Sequence, residues 1–235
     1  MRKLIAPSIL AANILYLYDD VLEVLDAGAE VLHIDIMDGS FVPAITFGDN
    51  VVSALRTKLE ERFLPPAGAP RLDVHLMIEN PQNHIETFAN AGADVITVHY
   101  EAIPNADKLI EISNEIRKHR NAHNEPVKSG ISINPHTPVS EIRDIIKNFD
   151  LVLIMTVVAG LGGQKYIDSC TAKIEEVAEI AKDVSHDLII EVDGGVNAGN
   201  IHIPANAGAH WLVAGSAIFG AEDIGAAFRK LEKGL

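Results

Sequence analysis

The chain of 235 residues carries a single cysteine, Cys170, so no disulfide framework can staple it and a reducing compartment is expected. Basic residues are scarce: 19 Lys and Arg stand against 33 Asp and Glu, a formal net charge of −14. That sign disfavours a nucleic-acid partner, although backbone N–H groups can still hold a small anion without lysines. No apolar run approaches the roughly 18 residues that a membrane span needs. Linkers are missing too. No Pro/Gly/Ser-rich stretch divides the chain, and the loosest segment, LPPAGA at 64–69, reads as a loop between the second helix and the third strand. A single domain over 1–235 is expected. Arg2-Lys3 followed by LIAPSILAANILYLY imitates a signal peptide, with Ala11-Ala12-Asn13 as a mock cleavage site. Pro7 and Ser8 interrupt that run, and a strand-then-helix reading uses every residue, so a cytoplasmic protein is expected.

What the chain does have is alternation. Short runs rich in Val, Ile and Leu fall at 4–10, 31–37, 72–78, 95–99, 129–133, 151–157, 188–192 and 211–214. Such runs suit parallel strands buried on both faces. Amphipathic segments of helix length separate them, at 17–27, 48–61, 81–91, 105–119, 138–148, 170–184, 197–207 and 221–233. Eight strands strictly alternating with eight helices predict an α/β fold, a (β/α)8 TIM barrel, with a doubly wound open sheet as the alternative. A recurring Ala-Gly-Ala at 27–29, 91–93 and 207–209 closes a helix before an apolar run each time. Glycine just past a helix end takes the left-handed conformation, so the repeat supports successive βαβ units.

In a parallel barrel, function gathers where strands end and βα loops begin. Side chains alternate along a strand, so His33, Asp35 and Met37 share one face of the second strand, and His75 and Met77 one face of the third. Asp193 tips the seventh. Four potential metal ligands therefore converge: His33, Asp35, His75 and Asp193. Two imidazoles and two carboxylates suit one divalent ion, with Zn2+ first and Fe2+, Mn2+ or Co2+ as alternatives. Asp73 and Glu191 have the same inward parity one layer deeper, where they could orient the imidazoles. His99 ends the fourth strand and reads as a core residue or a support behind the ligands. Met37, Met77 and Met155 read as packing, or as a soft lining near a reacting carbon, and Asp38 as a turn residue before Gly39. His119, His123 and His186 read as solvated.

Glycines cluster after the last three strands: Gly160-Leu161-Gly162-Gly163, Gly194-Gly195, and Gly215 followed by Ser216. Loops seven and eight of barrels, with a short extra helix, commonly cradle phosphate, because glycine lets backbone N–H groups approach its oxygens. Ser216–Gly220 has the length of such a turn, and 160–163 could close as a lid.

Seven segments in unbroken order now carry a resemblance: APSILAA (6–12), HIDIMDGSFVPAITFG (33–48), LDVHLMIENP (72–81), AGADVITVHYEA (91–102), GGQKYI (162–167), IEVDGGVN (190–197) and VAGSAIFG (213–220). Together they resemble the ribulose-phosphate 3-epimerase family, (β/α)8 barrels that interconvert D-ribulose 5-phosphate and D-xylulose 5-phosphate in the pentose phosphate pathway. The resemblance implies that His33, Asp35, His75 and Asp193 hold the metal, and that Asp35 and Asp193 are the paired proton acceptor and donor. It implies substrate contacts by Ser8, His75, Gly160, Leu161, Gly162, Gly163, Gly194, Gly195, Gly215 and Ser216. It also implies a homo-oligomer whose partner is a small-molecule sugar phosphate, with neither nucleic acid nor membrane involved. The chemistry expected is inversion at C3 through a metal-stabilised 2,3-enediolate.

The chain departs from the family pattern in several places. Val158-Ala159 stands where Asn-Pro usually precedes the glycine lid, and Leu161 where an aromatic is usual. Ser40, Ala44 and Asn13 replace His, Asn and Asp. These leave a 3-epimerase of another ketose phosphate, such as D-allulose 6-phosphate, as the alternative substrate reading, and a non-catalytic sugar-phosphate binder as a third. An orotidine-phosphate type of decarboxylase is disfavoured, since Met37 rather than lysine stands two places after Asp35.

Overall fold

A computed structural model describes residues 1–63 and 68–235. The expected loop at 64–69 therefore lies, over 64–67, outside the described residues. Eight strands run Leu4–Pro7 (β1), Val31–Met37 (β2), Arg71–Met77 (β3), Val95–His99 (β4), Lys128–Ile133 (β5), Leu151–Met155 (β6), Ile189–Asp193 (β7) and Trp211–Ala214 (β8). All pairings are parallel, in the order β1-β8-β7-β6-β5-β4-β3-β2. A parallel bridge between Ser8 and His33 joins the two ends, so the sheet wraps into a nearly closed (β/α)8 TIM barrel rather than a doubly wound sheet.

The helices are Leu17–Asp26 (α1), Asp49–Arg62 (α2), Ile85–Asn90 (α3), Ala106–Ile116 (α4), Thr171–Ala181 (α5), His202–Ala207 (α6), Ser216–Phe219 (α7) and Ile224–Glu232 (α8). Local chemistry starts and stops them. Asn105 and Asp223 cap α4 and α8 by accepting the N–H groups of Lys108 and Ala226. The glycines of the three Ala-Gly-Ala repeats, Gly28, Gly92 and Gly208, all lie at φ between +104° and +116°.

Several elements are shorter than expected, among them the strand over 151–157, which ends at Met155, and the helix over 197–207, which begins at His202; two differ more. The first strand ends at Pro7 instead of residue 10, because the chain turns at once into a 3-10 helix, Ile9–Ala11, with Ala11 N–H bonded to the Ser8 carbonyl. No α-helix forms over 138–148. Two 3-10 turns, Val139–Glu141 and Ile146–Asn148, take its place. Lys173 Nζ donates to the carbonyls of Asn134, Pro135 and Thr137, just ahead of this segment. Tighter i→i+3 winding then buries Val139, Ile142 and Ile145 in succession.

Apolar residues divide between two layers. Residues such as Ile5, Leu32, Val74 and Val98 point outward and pack beneath the helices. Ala6, Val31, Val95, Leu153 and Trp211 fill the barrel itself. Inward positions on β2, β3, β4 and β7 carry charge and imidazole instead, and these mark the site.

Candidate active site

Strand register stacks the polar interior in levels. His33 pairs with Asp73, Asp35 with His75, and Met37 with Met77 across β2 and β3, while Met155 pairs with Asp193 across β6 and β7. The four expected ligands come together: one ligand atom from each of His33, Asp35, His75 and Asp193 lies within 4.8 Å of the others. Asp35 Oδ1 is the hub, 3.2 Å from His33 Nε2 and 3.1 Å from His75 Nδ1. Its other oxygen accepts a hydrogen bond from Ser8 Oγ at 2.7 Å. Thr46 Oγ1 locks the strand around Asp35, donating to its carbonyl at 2.6 Å and accepting the Met37 N–H at 3.0 Å.

Below this level His33 Nδ1 stands 2.5 Å from Asp73 Oδ2 and 3.5 Å from Glu191 Oε1. Asp73 and Glu191 thus stand behind the imidazole, where the strand parity put them. Asp73 Oδ1 and both Glu191 oxygens have no partner among the described residues. Burial and the neighbouring Asp73 charge push the Glu191 carboxyl well above its usual range, which favours the neutral acid. His99 is not one of the converging ligands: its Nε2 lies 2.8 Å from His75 Nε2 and its Nδ1 3.0 Å from Glu101 Oε2.

The two aspartates differ in environment. Burial opposes charge on Asp35, but the adjoining His33 and His75 rings hold its carboxyl well below the usual range. Burial and the charge of Asp35 push Asp193 up to about 7. A cation between them would reverse that trend and favour the carboxylate form of both. Burial lowers His75, and the same burial works against the charged form of His33, which Asp35 and Asp73 nevertheless raise. The donor set fits a divalent ion: two imidazole nitrogens and two carboxylates converge on a point where, among the described residues, no lysine or arginine pairs with them.

A cavity of about 510 Å³ opens above the cluster. Ser8, Asp35 and Asp193 line it together with Met37, Met77 and Met155. Gly160, Leu161, Gly162, Gly163, Gly194, Gly195, Gly215 and Ser216 form much of its rim. His33 and His75 are fully buried and stand behind this wall, so His75 faces the cluster without lining the cavity. The backbone needs glycine at 195: φ is +69°, and a Cβ there would sit 2.2 Å from the Tyr166 nitrogen. Asp38 is a turn residue, accepting from Ser40, Phe41 and Glu79 N–H groups. His186 is half-buried rather than solvated, with Nε2 2.7 Å from the Phe149 carbonyl, and His119 and His123 are likewise half-buried.

Sequence reasoning missed several supports. Thr46 lies in a loop and carries no periodic signal. Gln164, whose amide donates to the carbonyls of Val158 and Leu161, ties the glycine loop to itself. Glu101 could have been found only by noticing His99-x-Glu101 at a strand end.

A sequence model of the ribulose-phosphate 3 epimerase family matches residues 4–219. The chain belongs to this family. It is 46% identical over 220 residues to the ribulose-phosphate 3-epimerase of Bacillus subtilis (strain 168), covering 93% of each chain. To the enzyme of the same name from Serratia marcescens it is 40% identical, over 95% of this chain and 99% of that one. The ribulose-5-phosphate-3-epimerase, chloroplastic, of Arabidopsis thaliana is also 40% identical, over 97% and 76% of the two chains. Among solved structures, 3-keto-L-gulonate-6-phosphate decarboxylase from Vibrio cholerae superposes with a TM-score of 0.68 at 15% identity, covering 100% of both chains. At that identity the likeness concerns the fold alone. The family is one of isomerases, so the chain is an enzyme of the epimerase class. No helix among the described residues is long and apolar enough to cross a membrane.

Proposed function

We propose that this chain, acting as one barrel domain, interconverts D-ribulose 5-phosphate and D-xylulose 5-phosphate by inverting C3. The observation that carries this reading is the pairing of Asp35 and Asp193. They come from strands that are not neighbours, line one cavity, and offer oxygens within 4.8 Å of each other. Inversion next to a ketone needs a proton taken from one face of the carbon and another returned to the opposite face. Two carboxyl groups flanking the carbon do this without either having to cross the plane.

Asp35 is held for the task by the Ser8 hydroxyl on one oxygen, with the two imidazoles flanking the other. Asp193 has no such retinue: burial and the Asp35 charge oppose its ionisation, which keeps a proton within reach for delivery against the pull of a bound ion. One removes the C3 proton while the other delivers its own, and the roles exchange with reaction direction. Met37, Met77 and Met155 provide an apolar surface beside the reacting carbon, which keeps water away and strengthens each electrostatic contact. His33, Asp35, His75 and Asp193 would hold the divalent ion, zinc by its ligand chemistry. When bound it supplies Lewis-acid stabilisation of the negative charge developing on the C2 and C3 oxygens.

The phosphate is assigned to the glycine rim. Gly194, Gly195 and Gly215 present backbone without side chains that would obstruct it, and the first amides of α7 have no partner within their helix. Binding there, remote from C3, orients the sugar. Leu161 lines the same cavity at the position of the family's usual aromatic, so D-allulose 6-phosphate is the substrate to compare. Purified zinc-loaded protein incubated with each sugar phosphate, with products read by 13C NMR, tests the reading. Xylulose 5-phosphate is expected as the faster product. Preferential turnover of the six-carbon sugar would move the assignment to it, and turnover of neither would refute it.

A further inference from the structure

Opposite ring nitrogens of the two imidazoles face the ligand cluster, Nε2 of His33 and Nδ1 of His75. A neutral imidazole offers a lone pair on only one nitrogen, so each ring must carry its proton on the far side to act as a ligand. His33 has Asp73 behind it to receive that proton. Behind His75, among the described residues, another imidazole stands in place of a carboxylate, and this raises the question of what makes His99 an acceptor.

We propose that Glu101 and His99 are positioning residues that fix the tautomer of His75 and so hold its Nδ1 lone pair toward the metal site. The direction of the chain follows from its far end. Glu101 Oε1 accepts the Asn134 N–H at 2.7 Å and the Thr137 hydroxyl, so this carboxylate is anchored by two donors. Its Oε2 lies 3.0 Å from His99 Nδ1, and an ionised carboxylate can only accept, so the proton of His99 sits on Nδ1. His99 Nε2 is then a lone pair, 2.8 Å from His75 Nε2, which must donate. At the near end Asp35 Oδ1, 3.1 Å from His75 Nδ1, is a rival acceptor for the same ring; a cation seated between the two takes that place, and His75, its proton drawn to Nε2, then presents the Nδ1 lone pair to it.

The rings are built to stay in this arrangement. His75 and His99 are both fully buried, their centroids 4.9 Å apart, and Phe41 packs against His99 with centroids again 4.9 Å apart. A longer contact, Asn134 Nδ2 to His99 Nδ1 at 3.5 Å, competes for the same nitrogen but is outmatched by the charged acceptor at 3.0 Å. The relay thus couples the β4 end and the loop after β5 to a ligand on β3.

This inference rests on the metal reading of the cluster but not on the identity of the sugar, and its test needs no substrate. Imidazole 15N spectra of the zinc-loaded protein should show His75 bound through Nδ1 and protonated at Nε2. Zinc affinity, measured by competition with a chromophoric chelator, should fall about 10- to 100-fold in Glu101→Gln and at least as far in His99→Leu. His99→Gln, whose amide oxygen can still accept, should recover part of the loss. Thr137→Val, which weakens the hold on Glu101 from outside the relay, should give a smaller loss in the same direction, and stands in should His99→Leu fail to fold. His75 bound through Nε2, unaltered zinc affinity in folded Glu101→Gln, or no zinc uptake by the wild-type protein would each overturn the proposal. Normal zinc binding and tautomer without epimerisation would instead remove the functional reading and leave this one standing.

Discussion

Ser8 Oγ donates to Asp35 Oδ2 at 2.7 Å, across the seam where the first and second strands are joined by the Ser8–His33 bridge. The bond sets the carboxylate that is proposed to exchange the C3 proton. Removing it in Ser8→Ala forfeits a hydrogen bond to a charged group, worth about 1.5–3 kcal/mol. Steady-state kinetics should show kcat/KM reduced by roughly tenfold to a hundredfold, with thermal stability close to wild type. Unchanged kinetics would mean that Asp35 is oriented without the Ser8 hydroxyl.

Replacing either proton-transfer group has a larger consequence. Asp35→Asn and Asp193→Asn should each lower turnover by about two to four orders of magnitude. Both residues also belong to the ligand set, so zinc content is measured on the same samples. Low turnover at full metal occupancy supports a proton-transfer role; low turnover with lost metal assigns the residue to binding alone.

Removal of the ion gives a complementary test. Chelated and dialysed protein should lose activity and regain it when Zn2+ is restored. Zinc at about 100 times its Kd should add roughly 2.7 kcal/mol of stability, seen as a raised Tm. An active chelated protein would exclude the ion from the reaction.

The rim glycines divide by what surrounds them. Gly195→Ala meets both a positive φ and the Tyr166 backbone, so it should cost about 1–3 kcal/mol or more and disturb the phosphate side. Gly28→Ala also has positive φ but nothing within 4 Å, and should cost only about 1–2 kcal/mol of backbone strain with normal kinetics. Paired thermal melts and KM values separate the two.

Asp150 supplies a pH dependence away from the site. Burial opposes its charge, yet Arg117 and the Ser129 N–H hold its carboxyl below the ordinary 3.8. A depressed folded-state value stabilises the protein fully above the unfolded-state value, and the contribution fades as pH falls through the folded one. Asp150→Asn should therefore melt below wild type at pH 7, with the gap closing below about pH 3.8. A gap that persists unchanged into acid would assign the loss to packing.

Much of this architecture is legible in the primary structure because parallel barrel strands are short, apolar and separated by helix-length intervals. Val31–Met37, Val95–His99 and Trp211–Ala214 begin and end where the apolar runs do. The parity rule, applied to His33, Asp35 and His75, also brings the right side chains to one face. The rule fails where tertiary contacts decide local geometry. Lys173, distant in sequence, pins the carbonyls just ahead of Pro138, and the stretch that follows buries Val139, Ile142 and Ile145 by winding as two 3-10 turns where a helix is expected. The support behind His75 escapes for a related reason: Glu101 lies outside any strand, and its anchors, Asn134 and Thr137, come from a different loop.

The central claim, that Asp35 and Asp193 work on opposite faces of C3, is tested most directly by proton NMR of the zinc-loaded protein with D-ribulose 5-phosphate in D2O. The account predicts deuterium at C3 of the xylulose 5-phosphate from the first turnovers, while the remaining ribulose 5-phosphate keeps most of its C3 protium. Xylulose 5-phosphate formed without deuterium, or equal labelling of both sugars from the outset, would contradict it.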